Sequence, residues 1–395
     1  MPADVVVAGG GPAGATAARL LAARGARVIL YEQRLLPRAK ICGGGLTPKA
    51  QQLASANALA TIERTVDHTE LRAPGLAPIS LAAPAARVAM VERARFDLAQ
   101  LEDAAQAGVE IRAGEPILEL TEDALGVSVH TSRGTLRADA AVVADGEPSR
   151  LARQLDLGGR PRRRALAVEV DLPFSSLLAP ELAVLEFALP GGYAWYFPKG
   201  DHANVGVGSY RADQHPGLRA VLERFARSLR LDARAGHLAG HWIPQGLRQG
   251  PLASARVVLA GDAAATADPL FGEGISYAML SGLVAAQSIE AWNDRRLADL
   301  RAYDGRLRTV LGPTLGRLYW TARVVEALLG PALFAVRHSQ GVRETAVDAI
   351  AGRAGVFALD RDCRLACICA LGGRTCSACS GGSGPRCSER VDCAA

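Results

Sequence analysis

Before residue 363 this chain of 395 residues contains a single cysteine, Cys42. A body so poor in thiols is not a disulfide scaffold, which agrees with a reducing compartment. Aromatic residues make up only 5% of the chain, and its net charge of +5 comes without a long block of like charge beyond Arg162-Arg163-Arg164. A nucleic-acid surface needs a basic patch with interleaved aromatics, so no nucleic-acid role is expected. Long apolar runs are missing too. The longest uncharged stretch, Gly274 to Ile289, carries Ser276, Ser281, Gln287 and Ser288, and it falls short of the roughly 18 apolar residues of a membrane span. The strand-like run Asp4 to Ala8 begins so early that a cleavable signal peptide has no room. A cytoplasmic protein is expected, with docking on a membrane surface left open.

What the chain does have is apolar content, 49% hydrophobic residues, enough for a large core in two interleaved domains. From Val5 it reads VVVAGGGPAGATAARLLAARGARVILYEQ. An apolar strand runs into Gly9, Gly11, Ala13 and Gly14, a helix with apolar residues at helical spacing follows, and a second strand, Ala26 to Tyr31, ends at Glu32. The glycines permit a tight turn and let backbone N–H groups approach a pyrophosphate at the helix N-terminus, where the dipole favours negative charge. Glu32 is placed to accept both hydroxyls of an adenosine ribose, and an acid there repels a 2′-phosphate. This unit alone does not separate FAD from NAD.

Three further segments narrow the cofactor. Val91 to Val109 reads as a helix with Phe96, Leu98, Leu101 and Ala105 on its apolar side and Arg93 just before it. The strand Ala140 to Ala144 ends in Asp145-Gly146, and the strand Ala255 to Ala260 ends in Gly261-Asp262, followed by AAATADPLFGEGI and a long helix of small residues. Pro269 and the bend Gly272-Glu273-Gly274 turn that helix's N-terminus back toward the site. There it would stabilise the negative charge of a reduced flavin by roughly 0.3–1 kcal/mol. These segments resemble the flavin-dependent hydroxylase and reductase superfamily. The resemblance implies FAD, with Asp262 on the ribityl chain, Asp145-Gly146 near the pyrophosphate, Arg93, Gly274 and Ile275 at the cofactor, and the backbone of Ile117 beside the adenine. No covalent attachment is expected.

Pro37 to Leu46, PRAKICGGGL, puts a cysteine and three glycines where a flavin ring would lie. Each glycine gives up side-chain contacts and adds unfolded-state entropy, so the run suggests backbone passing close to a flat ligand. Together with Tyr193-Ala194-Trp195-Tyr196-Phe197-Pro198-Lys199, the following GDHANVGVG and the GEGI loop, it resembles the geranylgeranyl reductase family over roughly residues 4 to 355. That resemblance implies an FAD-dependent reductase of isolated C=C bonds in prenyl chains, with a prenylated small-molecule substrate and NADPH or ferredoxin as electron donor. No second intact GxGxxG marks a lasting NADPH site. An isolated alkene has no carbonyl to accept charge, so its reduction needs hydride from flavin N5 on one carbon and a proton on the other, in a dry pocket.

The catalytic candidates are Cys42, Tyr193 and Trp195. Tyr193, Trp195 and Phe197 alternate and share one strand face, as a pocket wall or as ordinary sheet core. Gly206 and Gly208 either let a chain or ring approach the sheet or mark a bulge. Cys42 either donates a proton or packs over the ring, and Gly43 and Gly45 are expected to offer backbone contacts to the isoalloxazine. Lys40 and Lys199, two of only three lysines against 42 arginines, bind a polar head group or stay solvated. Two alternatives stand beside this reading. One is an FAD monooxygenase or halogenase of the same fold, for which no catalytic lysine is located; the other is a flavin electron-transfer protein.

The expected fold is α/β: a Rossmann-type FAD-binding domain with an interleaved antiparallel-sheet substrate domain and a helical C-terminal region. The first is discontinuous (1–65, 91–160 and 250–310), and the second takes 66–90 and 161–249, where Thr69 to Met90 and Arg164 to Tyr210 alternate in strand fashion and Leu218 to Leu229 reads as a helix. Residues 311–360 are helical from Pro313, with an apolar face that packs on the core, caps a pocket or, helped by Arg317, Arg323 and Arg337, lies on lipid. The tail, 361–395, holds Cys363, Cys367, Cys369, Cys376 and Cys379 at spacings too irregular for an ordinary zinc site. Disorder and no metal are expected there.

Overall fold

The first apolar run forms the strand Ala3–Ala8, in which Val5, Val6 and Val7 are wholly buried, as befits a central parallel strand covered on both faces. In the computed structural model, which describes residues 3–82, 87–211 and 217–352, this strand lies between Val28–Glu32 and Gly134–Val143, parallel to both. Glu110–Ala113 extends the sheet past Val28–Glu32, also in parallel. The long strand Gly134–Val143 divides its far edge: its first half pairs antiparallel with Gly126–Thr131, and its last residues pair in parallel with Val257–Leu259. Ile117–Asp123 completes seven strands. All parallel members end at the same edge, so Gly9, Glu32, Asp145 and Asp262 leave the sheet together, where open α/β sheets bind ligands. The cysteine-rich tail lies outside the described residues.

A second sheet of seven strands runs in the order Ala239–Arg248, Pro161–Leu172, Ala203–Ser209, Gly192–Pro198, Leu182–Leu189, His68–Ala73 and Leu76–Ala82. It is antiparallel except where Leu182–Leu189 meets His68–Ala73. Alternation gives it two apolar faces. Val170, Leu172, Val205 and Val207 pack under the helix Leu218–Ser228. Ala167, Leu185 and Trp195 face the other way, toward the helix Leu329–His338.

Two expectations change. Alternation over Thr69 to Met90 groups Val88–Val91 with the strands of the second sheet, but it pairs with Gly45–Leu46 and Ile62–Val66 in a separate three-stranded sheet. Its residues Ala89 and Val91 join Leu46 and Phe96 in a core of their own, which draws it away. The helix expected from Pro313 starts at Ala302 and runs through the proline to Ala327. Leu307, Leu311, Leu315 and Leu318 continue one buried stripe, and that burial outweighs the hydrogen bond the proline omits.

Candidate active site

Two helix N-termini converge at the carboxyl edge of the parallel strands. Pro12–Ala22 starts at Gly11 and Ile275–Asn293 starts at Gly274, and neither glycine supplies a side-chain cap. The Ser276 N–H is taken by Glu273 Oε1 at 2.8 Å and Pro12 has none, so the first-turn N–H groups open to an outside acceptor are those of Ala13 and Gly14 on one helix and Ile275 on the other. Gly261 holds the two together: a Cβ there would lie 3.0 Å from the Ala13 methyl and 3.6 Å from that of Ala278. Asp262, the next residue, lies in the short turn Gly261–Ala264. Its Oδ1 is 3.9 Å from where a Cβ on Gly274 would stand. The helices also touch directly, since a Cβ on Gly282 would be 2.3 Å from the Ala13 carbonyl oxygen.

The glycines of the first turn have different reasons. A Cβ on Gly9 would strike the Ala144 carbonyl oxygen at 2.3 Å, and one on Gly14 would strike the Gly9 carbonyl oxygen at 2.0 Å. Both are demanded by the protein's own packing. At Gly11 a Cβ would meet nothing nearer than Arg38, at 3.7 Å, so this position is open toward a ligand. Glu32 is buried and accepts from the Gly10 N–H at 3.0 Å, the Arg34 N–H at 3.0 Å and Arg38 Nε at 2.9 Å. Arg38 also reaches Asp97 at 3.1 Å. Arg93 opens the helix Arg93–Gln106, pairs through two nitrogens with Asp97 at 2.9 and 3.0 Å, and lies beside Cys42. Asp145 accepts from Ser149, Arg150 and Leu151 and so caps a helix start. Ile117 is buried in the nucleotide-sheet core with its carbonyl taken by Arg150.

The Cys42–Gly45 loop lies against the second sheet. A Cβ on Gly43 would be 2.7 Å from the Phe197 ring, and Gly44, at φ +76°, would place one 2.3 Å from the Val91 carbonyl oxygen. Two of the three glycines are thus required by protein neighbours, a reason that stands beside the expected approach to a flat ligand. Gly45 would make only ordinary contact, with Val88 at 3.4 Å. The half-buried Cys42 accepts the Gly44 N–H at its Sγ, 3.4 Å, and its own N–H donates to Glu169 Oε1 at 2.6 Å.

Across the sheet, Trp195 and Glu169 both stand opposite Gly206. A Cβ on Gly206 would be 2.1 Å from the Trp195 indole: the ring that approaches this glycine belongs to the sheet itself, and the register runs through without a bulge. Trp195 Nε1 donates to Asn204 at 2.7 Å. Tyr193 donates its hydroxyl to the Phe271 carbonyl at 2.5 Å, and burial pushes its pKa up; it holds its proton. Lys40 Nζ donates to His241 Nε2 at 2.8 Å, joining the loop to the strand Ala239–Arg248. Burial, then Lys40, pushes His241 down to about 4, and burial also lowers Lys40. Lys199 is buried and pairs with Glu92 at 2.7 Å. Neither lysine is a solvated surface group.

Glu169 and His241 went unread in the sequence. Burial pushes Glu169 up to about 7, offset in part by the Cys42 N–H, Lys199 and Asn204. A carboxyl raised on folding gives its full stabilisation below its unfolded value and loses it as pH climbs through the folded value. Glu169→Gln is therefore expected to match the parent in stability near pH 4.5 and to exceed it at pH 8, by roughly 2–3 kcal/mol for a shift of this size. Thermal unfolding at the two pH values checks this; equal melting differences at both would contradict it.

Beside this loop, on the same sheet face, lies a cavity of about 640 Å³ walled by Phe187, Tyr193, Trp195, Ile243, Phe271 and Leu329, with Tyr210, Arg211, Arg323 and Glu326 around one end. The parallel sheet, the two glycine-started helices at Gly11 and Gly274, Glu32 and Asp262 fit a dinucleotide cofactor, and the second sheet brings an apolar chamber to it. Fold and site together define a flavin-dependent oxidoreductase.

Comparison with known proteins agrees. Residues 2–190 match the FAD binding domain and residues 180–237 the geranylgeranyl reductase catalytic domain. The menaquinone reductase of Mycolicibacterium smegmatis is 32% identical over 319 residues, covering 72% of this chain and 76% of that protein. The digeranylgeranylglycerophospholipid reductase of Methanothrix thermoacetophila is 30% identical, covering 80% and 86%. Among solved structures, a geranylgeranyl bacteriochlorophyll reductase-like protein from Thermoplasma acidophilum superimposes with a TM-score of 0.77 at 24% identity, covering 88% of this chain and 96% of that one. The flavin-dependent brominase Bmp2 does so at 0.75 and 19%, covering 89% and 94%, which speaks to fold alone. The chain belongs to the geranylgeranyl reductase family of FAD-dependent oxidoreductases.

Proposed function

We propose that this protein reduces isolated C=C bonds in the prenyl chain of a small-molecule substrate. The observation that carries this is the chamber of about 640 Å³: it is apolar along its walls, polar at one end, and shares Trp195 with the cysteine loop, where a Cβ on Gly43 would be 3.5 Å from the indole nitrogen. Pockets for small-molecule ligands measure about 300–1,000 Å³, so a chamber of this size suits an extended prenyl chain. When bound, FAD supplies the hydride and is recharged by NADPH or a ferredoxin. Backbone N–H groups of Gly11, Ala13 and Gly14 would hold its pyrophosphate, Glu32 its adenosine ribose and Asp262 its ribityl chain, with Arg93, Gly274 and Ile275 at the same end. The Tyr193 and Trp195 rings orient the chain and exclude water, and Arg211 and Arg323 lie where a polar head would rest. Cys42 Sγ holds the proton for the second carbon. Anaerobic incubation of photoreduced enzyme with a geranylgeranyl substrate is expected to give products heavier by two hydrogens; recovery of unchanged substrate contradicts the reading.

The chain would reach this chamber from a lipid surface. Trp320, Val324, Leu328 and Phe334 are all more than half exposed, beside Arg323 and Leu329 of the chamber's rim. Amphipathic faces of this kind bind anionic bilayers in the interface plane. Among the described residues no helix is long and apolar enough to cross a membrane. The double variant Trp320→Glu, Phe334→Glu is expected to lose most of its co-sedimentation with phosphatidylglycerol vesicles. Binding equal to the parent's would remove this part of the proposal.

A further inference from the structure

Glu169 is a buried acid in the strand Pro161–Leu172, among residues that otherwise pack. Its position is tied at both ends of the reaction site. One tie is the 2.6 Å bond that it accepts from the Cys42 N–H. The other runs past Asn204, whose side chain favours the Glu169 carboxylate, accepts from Trp195 Nε1 at 2.7 Å and donates to Asp171 at 2.9 Å. Glu169 thereby connects the thiol-bearing loop to the indole that walls the chamber. Neither Glu169 nor Cys42 walls the chamber, and the one hydrogen bond that Glu169 makes to the loop is to the Cys42 backbone, so it acts through Cys42.

We infer that Glu169 is a positioning residue: its carboxylate holds the Cys42 backbone against the sheet and so fixes the place of the thiol for the proton half of the reaction. This rests on the reading of the protein as a prenyl reductase. The charged groups that face Glu169 are Lys199, from beyond the end of the strand Gly192–Pro198, and Asp171 on its own strand; Lys199 is held by Glu92. Hydrogen bonds to a charged acceptor are the stronger ones. The hold on Cys42 therefore tightens as the carboxyl ionises, and burial places that ionisation near neutrality, at about 7. A packing role for Glu169 would carry no such pH dependence.

The test uses the full-length, FAD-loaded protein and its Glu169→Gln variant, which keeps an acceptor oxygen but cannot titrate. Amide exchange at Cys42, resolved by fragment mass spectrometry and corrected for the intrinsic pH dependence, is expected to slow about fivefold to tenfold in the parent between pH 6 and 8, the gain of a charged over a neutral hydrogen bond. In the variant it stays flat. With a geranylgeranyl substrate, kcat is expected to rise severalfold over the same range in the parent only, while the two proteins' KM values stay within about twofold. Coincident exchange profiles for parent and variant, a flat parent profile, or a kcat step that survives in Glu169→Gln would each overturn the inference. The exchange measurement needs no substrate. Absence of any prenyl turnover therefore counts against the proposed function and leaves the exchange result to decide the role of Glu169.

Discussion

Gly11→Ala is expected to fold and to be purified almost free of FAD, whereas Gly14→Ala is expected to lose both cofactor and stability. The difference follows from what each new methyl would meet. At Gly14 it would stand 2.0 Å from the Gly9 carbonyl oxygen, and backbone cannot step aside as a flexible side chain can. The strand-to-helix turn would have to open, at a cost in the upper range for single substitutions, about 3 kcal/mol or more. At Gly11 the nearest protein atom is Arg38 at 3.7 Å, and alanine at a helix N-cap costs only ~1 kcal/mol. What it does obstruct is close approach of a phosphate to the first N–H groups. Losing even one hydrogen bond to a charged group, ~1.5–3 kcal/mol, lowers FAD affinity more than tenfold. The flavin-to-protein absorbance ratio and the melting temperature separate the cases. A Gly11→Ala protein that retains full flavin would place the cofactor elsewhere.

Cys42→Ala is expected to keep its FAD and lose about 10²–10⁴-fold in kcat, the usual worth of a positioned general acid. The thiol is half-buried and accepts one weak bond, from Gly44 at 3.4 Å, so little stability rides on it. Its neighbourhood is built for a specific placement: Gly44 turns the loop at φ +76°, Gly43 sets it on the Phe197 ring and Glu169 holds its backbone. Cys42→Ser, which keeps a proton on a similar side chain, is expected to fall between parent and alanine. A kcat for Cys42→Ala within about fivefold of the parent would leave the residue a packing role over the cofactor.

The features that could be read in advance are those that the backbone alone demands. The strand, glycine turn, helix and Glu32 form one continuous stretch, and the start of the helix at Gly274 is marked by the bend before it. The strand face of Tyr193, Trp195 and Phe197 follows from alternation. What escaped notice depends on strands far apart in sequence. Glu169 stands in ALAVEVDL, where an acid among alternating apolar residues reads as a solvent-facing position. It becomes a site residue only because Pro161–Leu172 pairs with Ala203–Ser209, which pairs in turn with Gly192–Pro198. The same pairing explains Gly206, whose missing side chain makes room for the indole of Trp195. His241 is likewise joined to Lys40 across about 200 residues. One local signal does bear on Glu169: it shares its parity with Ala165 and Ala167, small residues on the face that holds the chamber.

Reduced flavin in this protein is expected to saturate an isolated prenyl double bond. The most direct measurement is anaerobic: enzyme reduced by light or dithionite, mixed with a geranylgeranyl substrate, followed by flavin absorbance and by mass spectrometry of the extracted product. Reoxidation of the flavin is expected only when substrate is present, with a product two hydrogens heavier for each flavin oxidised. Flavin that stays reduced until oxygen is admitted, with an oxygenated or halogenated product or none, would contradict it.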